Sequence, residues 1–211
     1  MANVDRRKFM QLMGGAAALS TLKANIAKAL EIPANNVTGT IKDVEHIVIL
    51  MQENRPFDHH FGTIRGVRGF NDPRAVSINL PLASGTGTTP VSVFLQPAGA
   101  ANEAAGFAVA PGSVSGPVDG ADVIPPFRVN PNGGNRGLTY LPGTDHSWGA
   151  THACWNEGQY DAWAVTNGPM VLSYMKREDL PYHYALADAF SVGDAYFCSI
   201  MGPTNPNRTY L

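Results

Sequence analysis

Val44-Glu45-His46-Ile47-Val48-Ile49-Leu50-Met51, followed at once by Gln52-Glu53-Asn54-Arg55, is the stretch on which the fold turns. From Ile47 to Met51 the run is unbroken, apolar and rich in β-branched residues, the pattern of a strand covered on both faces. Pro56 then opens a helix that sets Phe57 and Phe61 on one face and closes at Gly62. Strand, polar tip and helix make the opening unit of an α/β fold. In such folds the chemistry gathers at the carboxyl ends of parallel strands. The expected fold is therefore α/β: a mostly parallel sheet flanked by helices.

Upstream of that unit, Asp5-Arg6-Arg7-Lys8-Phe9-Met10 leads into a modestly apolar stretch ending at Leu22. Lys23 follows, and Ala27-Lys28-Ala29 supplies small residues for cleavage. Paired arginines, apolar core and small-residue exit stand in the order of a twin-arginine export signal over residues 1–29. The competing reading is an amphipathic helix that happens to carry two arginines. The stretch is too short and too rich in Gly and Ala to make a stable membrane anchor. Export by the twin-arginine machinery places the protein in the periplasm or outside the cell. Residues 30–43 read as a mobile linker. Residues 1–29 hold five basic side chains and one acidic one, so the rest of the chain carries −6 against −2 for the whole. An acidic body with no basic run excludes nucleic acid as a partner. Cys154 and Cys198 are too few for a disulfide scaffold; they either pair after export or sit buried as small apolar residues.

Downstream, residues 71–143 are dominated by Gly, Pro, Ser, Thr and Ala, with short alternations such as Val91-Ser92-Val93-Phe94. They read as a β-rich insertion, too long for a plain loop. Helical character returns from His146 to Trp163, with Asp145 or Ser147 as cap. A second helix is expected through Met170–Lys176. A third is expected after Asp179 as cap, with Pro181 in its first turn and Tyr184 on its buried face. Ser191 to Ile200 reads as another strand, ending at Met201-Gly202-Pro203-Thr204-Asn205-Pro206-Asn207-Arg208.

Two polar clusters thus follow expected strands: Glu53-Asn54, and Thr204 with Asn205, Asn207 and Arg208. If the strands are parallel neighbours, both clusters face one crevice. A carboxylate, an amide oxygen and a hydroxyl make a hard-oxygen site for a divalent cation. A hydroxyl bound there becomes a nucleophile near neutral pH. Gly202 and Pro203 fix a tight turn that presents Thr204 outward, and Arg208 suits a phosphate oxygen pair. Each residue also has a plain reading: Asn54 caps a helix, Glu53 is an exposed charge, Thr204 sits in a turn, and Arg208 pairs with a surface carboxylate.

Glu53-Asn54-Arg55-Pro56-Phe57-Asp58-His59-His60-Phe61-Gly62 resembles a signature of bacterial phosphocholine-type phospholipases C. These are related to periplasmic acid phosphatases within the alkaline-phosphatase-like superfamily. Gly202-Pro203-Thr204-Asn205-Pro206-Asn207-Arg208 resembles the second signature of that family. Pro126-Phe127-Arg128, Asp145-His146-Ser147-Trp148, Trp155-Asn156-Glu157-Gly158 and the stretch from Asp179 to Asp188 also look familial, as does the leader. The resemblance implies Glu53, Asn54 and Thr204 as ligands of a divalent metal ion of unassigned identity. It implies Thr204 as nucleophile and His146 as the histidine that binds phosphate or protonates the departing alcohol. Asn205, Arg208 and His152 become substrate-binding candidates, and His152 has packing against Trp148 or Trp155 as its alternative. His59, His60 and His183 read as structural, and His46 falls inside the first strand.

In that family the metal site is completed by acidic residues from later in a much longer chain. Residues 30–211 are thus expected to be the N-terminal part of a catalytic domain, inactive alone, with exposed sheet edges prone to aggregation. The expected activity is hydrolysis of phosphatidylcholine-type phospholipids to diacylglycerol and phosphocholine. A phosphomonoesterase on the same scaffold is the nearest rival, and a non-catalytic binding protein for phosphate esters is the rival of another class. Trp148, Trp155, Tyr160 and Trp163 are open to two uses, cation–π contact with a choline group or core packing.

Overall fold

The structure is a computed structural model; it describes residues 20–53, 55–81, 86–99, 123–129, 141 and 143–211. The chain divides into two compact units, one of Met1–Asn54 with Leu180–Val192, the other of Arg55–Asp179 with Gly193–Leu211.

In the first unit residues 20–31 are helical (α1). No described helix is long and apolar enough to cross a membrane. The segment expected as a linker carries a local knot. Thr40 caps a 3-10 turn at Ile41–Asp43, and the Asp43 carboxylate accepts from Thr38 N at 2.9 Å, Thr38 Oγ1 at 2.8 Å and Gly39 N at 2.7 Å. The apolar run that follows departs from expectation. Residues 44–51 form no strand, and Val48 is 92% exposed. A strand's amides and carbonyls must find partners on neighbouring strands, and no strand stands among the described residues of this unit.

The second unit opens with α2 (Phe57–Phe61), with Pro56 as N-cap and Gly62 as C-cap, as the sequence predicts. Gly62 then meets Gly69 backbone to backbone, and Phe70 N donates to Gly62 O at 3.0 Å. Strands β1 (Ser77–Pro81) and β2 (Thr88–Ser92) pair antiparallel, with Ile78 opposite Val91 and Leu80 opposite Thr89. Period-two alternation drives this pair: Ile78 and Leu80 point into a core with Val91 and Val123, while Ser77, Asn79 and Pro81 face solvent. Strand β3 (Gln96–Pro97) pairs antiparallel with β4 (Val123–Ile124). The one parallel pair among the described residues joins β5 (Phe127–Arg128) to β6 (Ser173–Tyr174). Mixed helices and strands agree with an α/β fold, but the described strands form three two-stranded sheets rather than one parallel sheet. Residues 191–200, expected as a strand, run as turn, bend and coil with Tyr196 and Phe197 exposed.

Helix α3 (Trp148–Trp155) starts as expected: the Ser147 hydroxyl accepts from Ala150 N at 3.3 Å. It does not continue to Trp163. Asn156 and Glu157 take left-handed backbone at φ 46° and 52°, and Gly158 follows at φ 93°. Asn and Gly tolerate that conformation, so the Asn-Glu-Gly run ends the helix. Helix α4 (Trp163–Asn167) resumes after the break. The helix expected at Met170–Lys176 is instead a 3-10 turn at Pro169–Leu172 running into β6, because Ser173 and Tyr174 are taken by the ladder with β5. Buried Gln96 stitches these parts together. Its amide nitrogen donates to Val93 O at 2.7 Å and Tyr160 O at 2.9 Å, and its oxygen accepts from Trp163 N at 3.0 Å.

Asp179 does not cap the next helix. Its carboxylate takes a forked bond from Arg128, at 3.1 and 2.9 Å, and accepts Lys176 N at 2.8 Å. Helix α5 (Pro181–Ala189) of the first unit begins with Pro181 in its first turn and buries Tyr184, as expected. Helix α6 (Thr204–Thr209) ends the chain in the second unit. Both cysteines are free; Cys154 is buried, and Cys198 is exposed rather than packed away.

Candidate functional site

The second signature is the part of the expected site that the structure builds in most detail. Thr204 is half-buried and is the first residue of α6, with Pro203 as N-cap at extended backbone. The sequence reading placed it on a turn; the Gly-Pro corner instead feeds a helix. Thr204 and Arg208 therefore stand four residues apart on α6 and share one side of it. Asn205 is exposed.

The corner itself is held by side chains. Residues 199–202 are bends, and no backbone-to-backbone bond ties residues 197–202 among those described. Asn207 supplies the missing partners. Its Oδ1 accepts from Ile200 N at 3.1 Å, and its Nδ2 lies within reach of Ile200 O at 3.2 Å, Gly202 O at 3.2 Å and Pro203 O at 3.1 Å. Helix α3 backs the same corner. The Thr151 hydroxyl reaches Met201 O at 2.9 Å as well as Ser147 O and Trp148 O one turn back. A β-carbon placed at Gly202 would stand 3.6 Å from the Trp148 ring, so a side chain there would come into van der Waals contact with the indole.

Of the two histidine candidates, His146 precedes α3 and His152 lies within it. His146 is exposed, with Nδ1 3.2 Å from Thr144 O. His152 stacks on Trp148 at 4.0 Å between ring centroids and meets Trp155 edge-on at 6.1 Å. Its Nδ1–H donates to Trp148 O at 2.8 Å. The packing alternative raised for His152 is thus present in the structure. Asp145 accepts from Ser147 N at 2.8 Å, and that bond holds its carboxyl below the usual range.

Glu53 is exposed and belongs to the first unit, whereas Thr204 belongs to the second; Asn54 lies outside the described residues. Among the described residues no three His, Cys, Asp or Glu side chains gather to hold a metal ion.

Three features escaped the sequence reading. Asn207 and Thr151 as braces of the corner were legible in principle, since Asn, Ser and Thr beside Gly-Pro commonly bond nearby backbone. The third is a buried titratable pair on α2. Burial pushes the Asp58 carboxyl up to about 6 and His59 down. His59 Nδ1–H donates to Ser173 O at 2.7 Å, which ties α2 to β6. Asp58 Oδ1 and His59 Nε2 are buried with no hydrogen-bond partner among the described residues.

The Phosphoesterase family matches residues 44–211. Over the whole chain, 46% of residues are identical to a Burkholderia pseudomallei protein named non-hemolytic phospholipase C, of which the match covers 26%. A Pseudomonas aeruginosa protein named hemolytic phospholipase C is 40% identical over 97% of the chain and 24% of its own length. A Mycobacterium tuberculosis protein named phospholipase C B is 36% identical over 98% of the chain and 37% of its own length. The chain therefore spans between about a quarter and just over a third of the length of these curated relatives.

Proposed function

Because this chain belongs to the Phosphoesterase family, we propose that it carries the nucleophile of an exported phosphodiesterase of phospholipase C type. The supporting observation is the braced corner: Asn207 and Thr151 hold it, and it ends at Thr204 with Arg208 on the same side of α6. In this reading the Thr204 oxygen attacks phosphorus and gives its proton to solvent water as the new P–O bond forms. The P–O bond to the glycerol oxygen breaks, and the departing oxygen takes a proton from His146. Water then attacks phosphorus, passing a proton to His146, and the P–O bond to Thr204 breaks; the Thr204 oxygen regains a proton from solvent and phosphocholine is released. Arg208 and Asn205 meet the phosphate oxygens, where charge develops in the transition state. His152, stacked on Trp148, borders the same helix end as His146.

A divalent cation of unassigned identity belongs to this proposal, with Glu53, Asn54 and Thr204 as its ligands in this chain. Bound cations make hydroxyl oxygens better nucleophiles. Three oxygen donors fall short of the roughly six to eight that a hard cation takes, and among the described residues no three His, Cys, Asp or Glu side chains gather to complete the set. The steps above therefore run through the chain's own groups. The leader at residues 1–29 carries the protein through the twin-arginine machinery to the periplasm or beyond; Arg6→Lys with Arg7→Lys is expected to retain it in the cytoplasm.

The deciding experiment measures products released by the complete gene product from phosphatidylcholine and from a phosphate monoester. We expect phosphocholine from the first, with Thr204→Ala lowering turnover by about three orders of magnitude or more. Inorganic phosphate alone, from the monoester, would assign a phosphomonoesterase. Binding that survives T204A with no turnover in either protein would leave a binding protein.

A further inference from the structure

We infer that Asn207 is a positioning residue for Thr204: its carboxamide staples the Ile200–Pro203 corner and so sets where the Thr204 oxygen stands. The inference rests on the reading of Thr204 as nucleophile and assigns a role to a residue three positions away that does not itself meet the substrate.

The corner ahead of α6 lacks its own backbone bonds among the described residues. A chain segment in that state is loose unless side chains satisfy its polar groups. Asn207 is the side chain that does so most fully. One amide oxygen takes Ile200 N–H, and two amide hydrogens serve three carbonyls between 3.1 and 3.2 Å away. These four partners are all backbone groups within seven residues, so the staple is local and owes nothing to distant packing. The Asn207 side chain is also carried by α6, the helix that Thr204 starts. Helix and corner are thereby locked into one piece, and Thr204 lies at their junction. Thr151 adds one bond to Met201 O, which ties that piece to α3.

An aspartate has nearly the same shape but offers no hydrogens, so it would turn an acceptor toward three carbonyl oxygens. Alanine leaves Ile200 N–H and those carbonyls to water. In both variants the corner relaxes, and a displacement of about 1 Å at a reacting atom costs on the order of a hundredfold in rate. Substrate contacts made by Arg208 do not depend on the staple to the same degree. The expected signature is therefore a fall in kcat with little change in KM.

The test uses the complete gene product with phosphatidylcholine in mixed micelles and compares N207A, N207D, T151V and T204A. We expect kcat to fall about ten- to a hundredfold in N207A and N207D, and about threefold or more in T151V. KM and the inhibition constant of inorganic phosphate should stay within about threefold throughout. Near-UV circular dichroism should remain that of the unsubstituted protein. If T204A keeps its turnover, the nucleophile reading falls and this inference falls with it. If T204A is inactive while N207A and N207D turn over normally, only this inference is overturned. A rise in KM with kcat unchanged overturns it too, because Asn207 would then serve binding. If N207A and N207D both lose the native near-UV signal, the residue holds the unit together rather than the nucleophile, and the inference is again overturned.

Discussion

Ile78 on β1 is 2% exposed, whereas Ile49, the same residue type in the apolar run before Glu53, is 61% exposed. Both lie in stretches whose composition favours extended chain. The difference is where their partners come from. β1 finds β2 after a short connection, and alternation sends Ile78 and Leu80 to one face, where Val91 and Val123 meet them. That pattern is complete within a few dozen residues. The run from Ile47 to Met51 has no alternation and no polar face. It fits only a position between other strands, and none is described beside it. Period-two patterns carry their own instructions, while unbroken apolar runs name a need that other segments must meet.

The largest expected effect follows directly. Leu80→Ala removes a fully buried side chain from the hairpin core and should cost about 2–5 kcal/mol. Val48→Ala, at an exposed position, should change stability by no more than about 0.5 kcal/mol. Urea unfolding of the 211-residue chain checks both. A Val48→Ala cost comparable to that of Leu80→Ala would show that residues 44–51 are packed after all, and the contrast between the two stretches would disappear.

A smaller effect is expected where backbone meets backbone in the hairpin's own unit. A β-carbon on Gly69 would run into the carbonyl of Gly62, which accepts the Phe70 amide. Backbone yields less readily than the end of a side chain, so Gly69→Ala should destabilise by roughly 1–3 kcal/mol. Gly66→Ala is the control for space, since nothing lies near its would-be β-carbon, although its φ of 89° brings strain of its own. If Gly69→Ala leaves the urea midpoint unchanged, the close approach of the two glycines is not a constraint on this loop.

The same distinction decides what was legible in the sequence. Readings that rested on local signals stand: Pro56 and Gly62 bounding α2, Ser147 capping α3, Pro181 opening α5. Readings that needed long-range partners did not, as at residues 44–51 and 191–200. Between these lie elements where tertiary demands overrode propensity. Met170–Lys176 looked helical, but β5 draws Ser173 and Tyr174 into a ladder. Asp179 looked like a cap, but Arg128, far away in sequence, claims its carboxylate. At the candidate site, Thr204 and Arg208 were visible as a motif. The Asn207 staple was not, because motif reading asks what a residue does to a ligand, not what it does to its own backbone.

Asp58 offers the smallest and most conditional effect, and it separates burial that is satisfied from burial that is not. Gln96 is buried with hydrogen bonds at both its amide nitrogen and its amide oxygen, whereas Asp58 has a buried oxygen with no partner among the described residues. Burial raises its folded-state pKa from 3.8 to about 6. For an acid shifted upward, folding favours the protonated form. The stabilising contribution is therefore fully present below the unfolded pKa and is lost as pH rises through about 6. His59 beside it is shifted downward by burial, so its proton is lost more readily, and acidification works against it as the pH falls toward its lowered pKa. The partly exposed rim of Asp58 screens the effect, so the expected shift is small, on the order of 1–3 °C in Tm between about pH 5 and about pH 7.5. Asp58→Asn should remove the Asp58 part of that slope and raise Tm on the alkaline side, because the amide never ionises. If D58N retains the full slope, the pH dependence belongs to other groups, and the carboxyl at the start of α2 is solvated rather than buried.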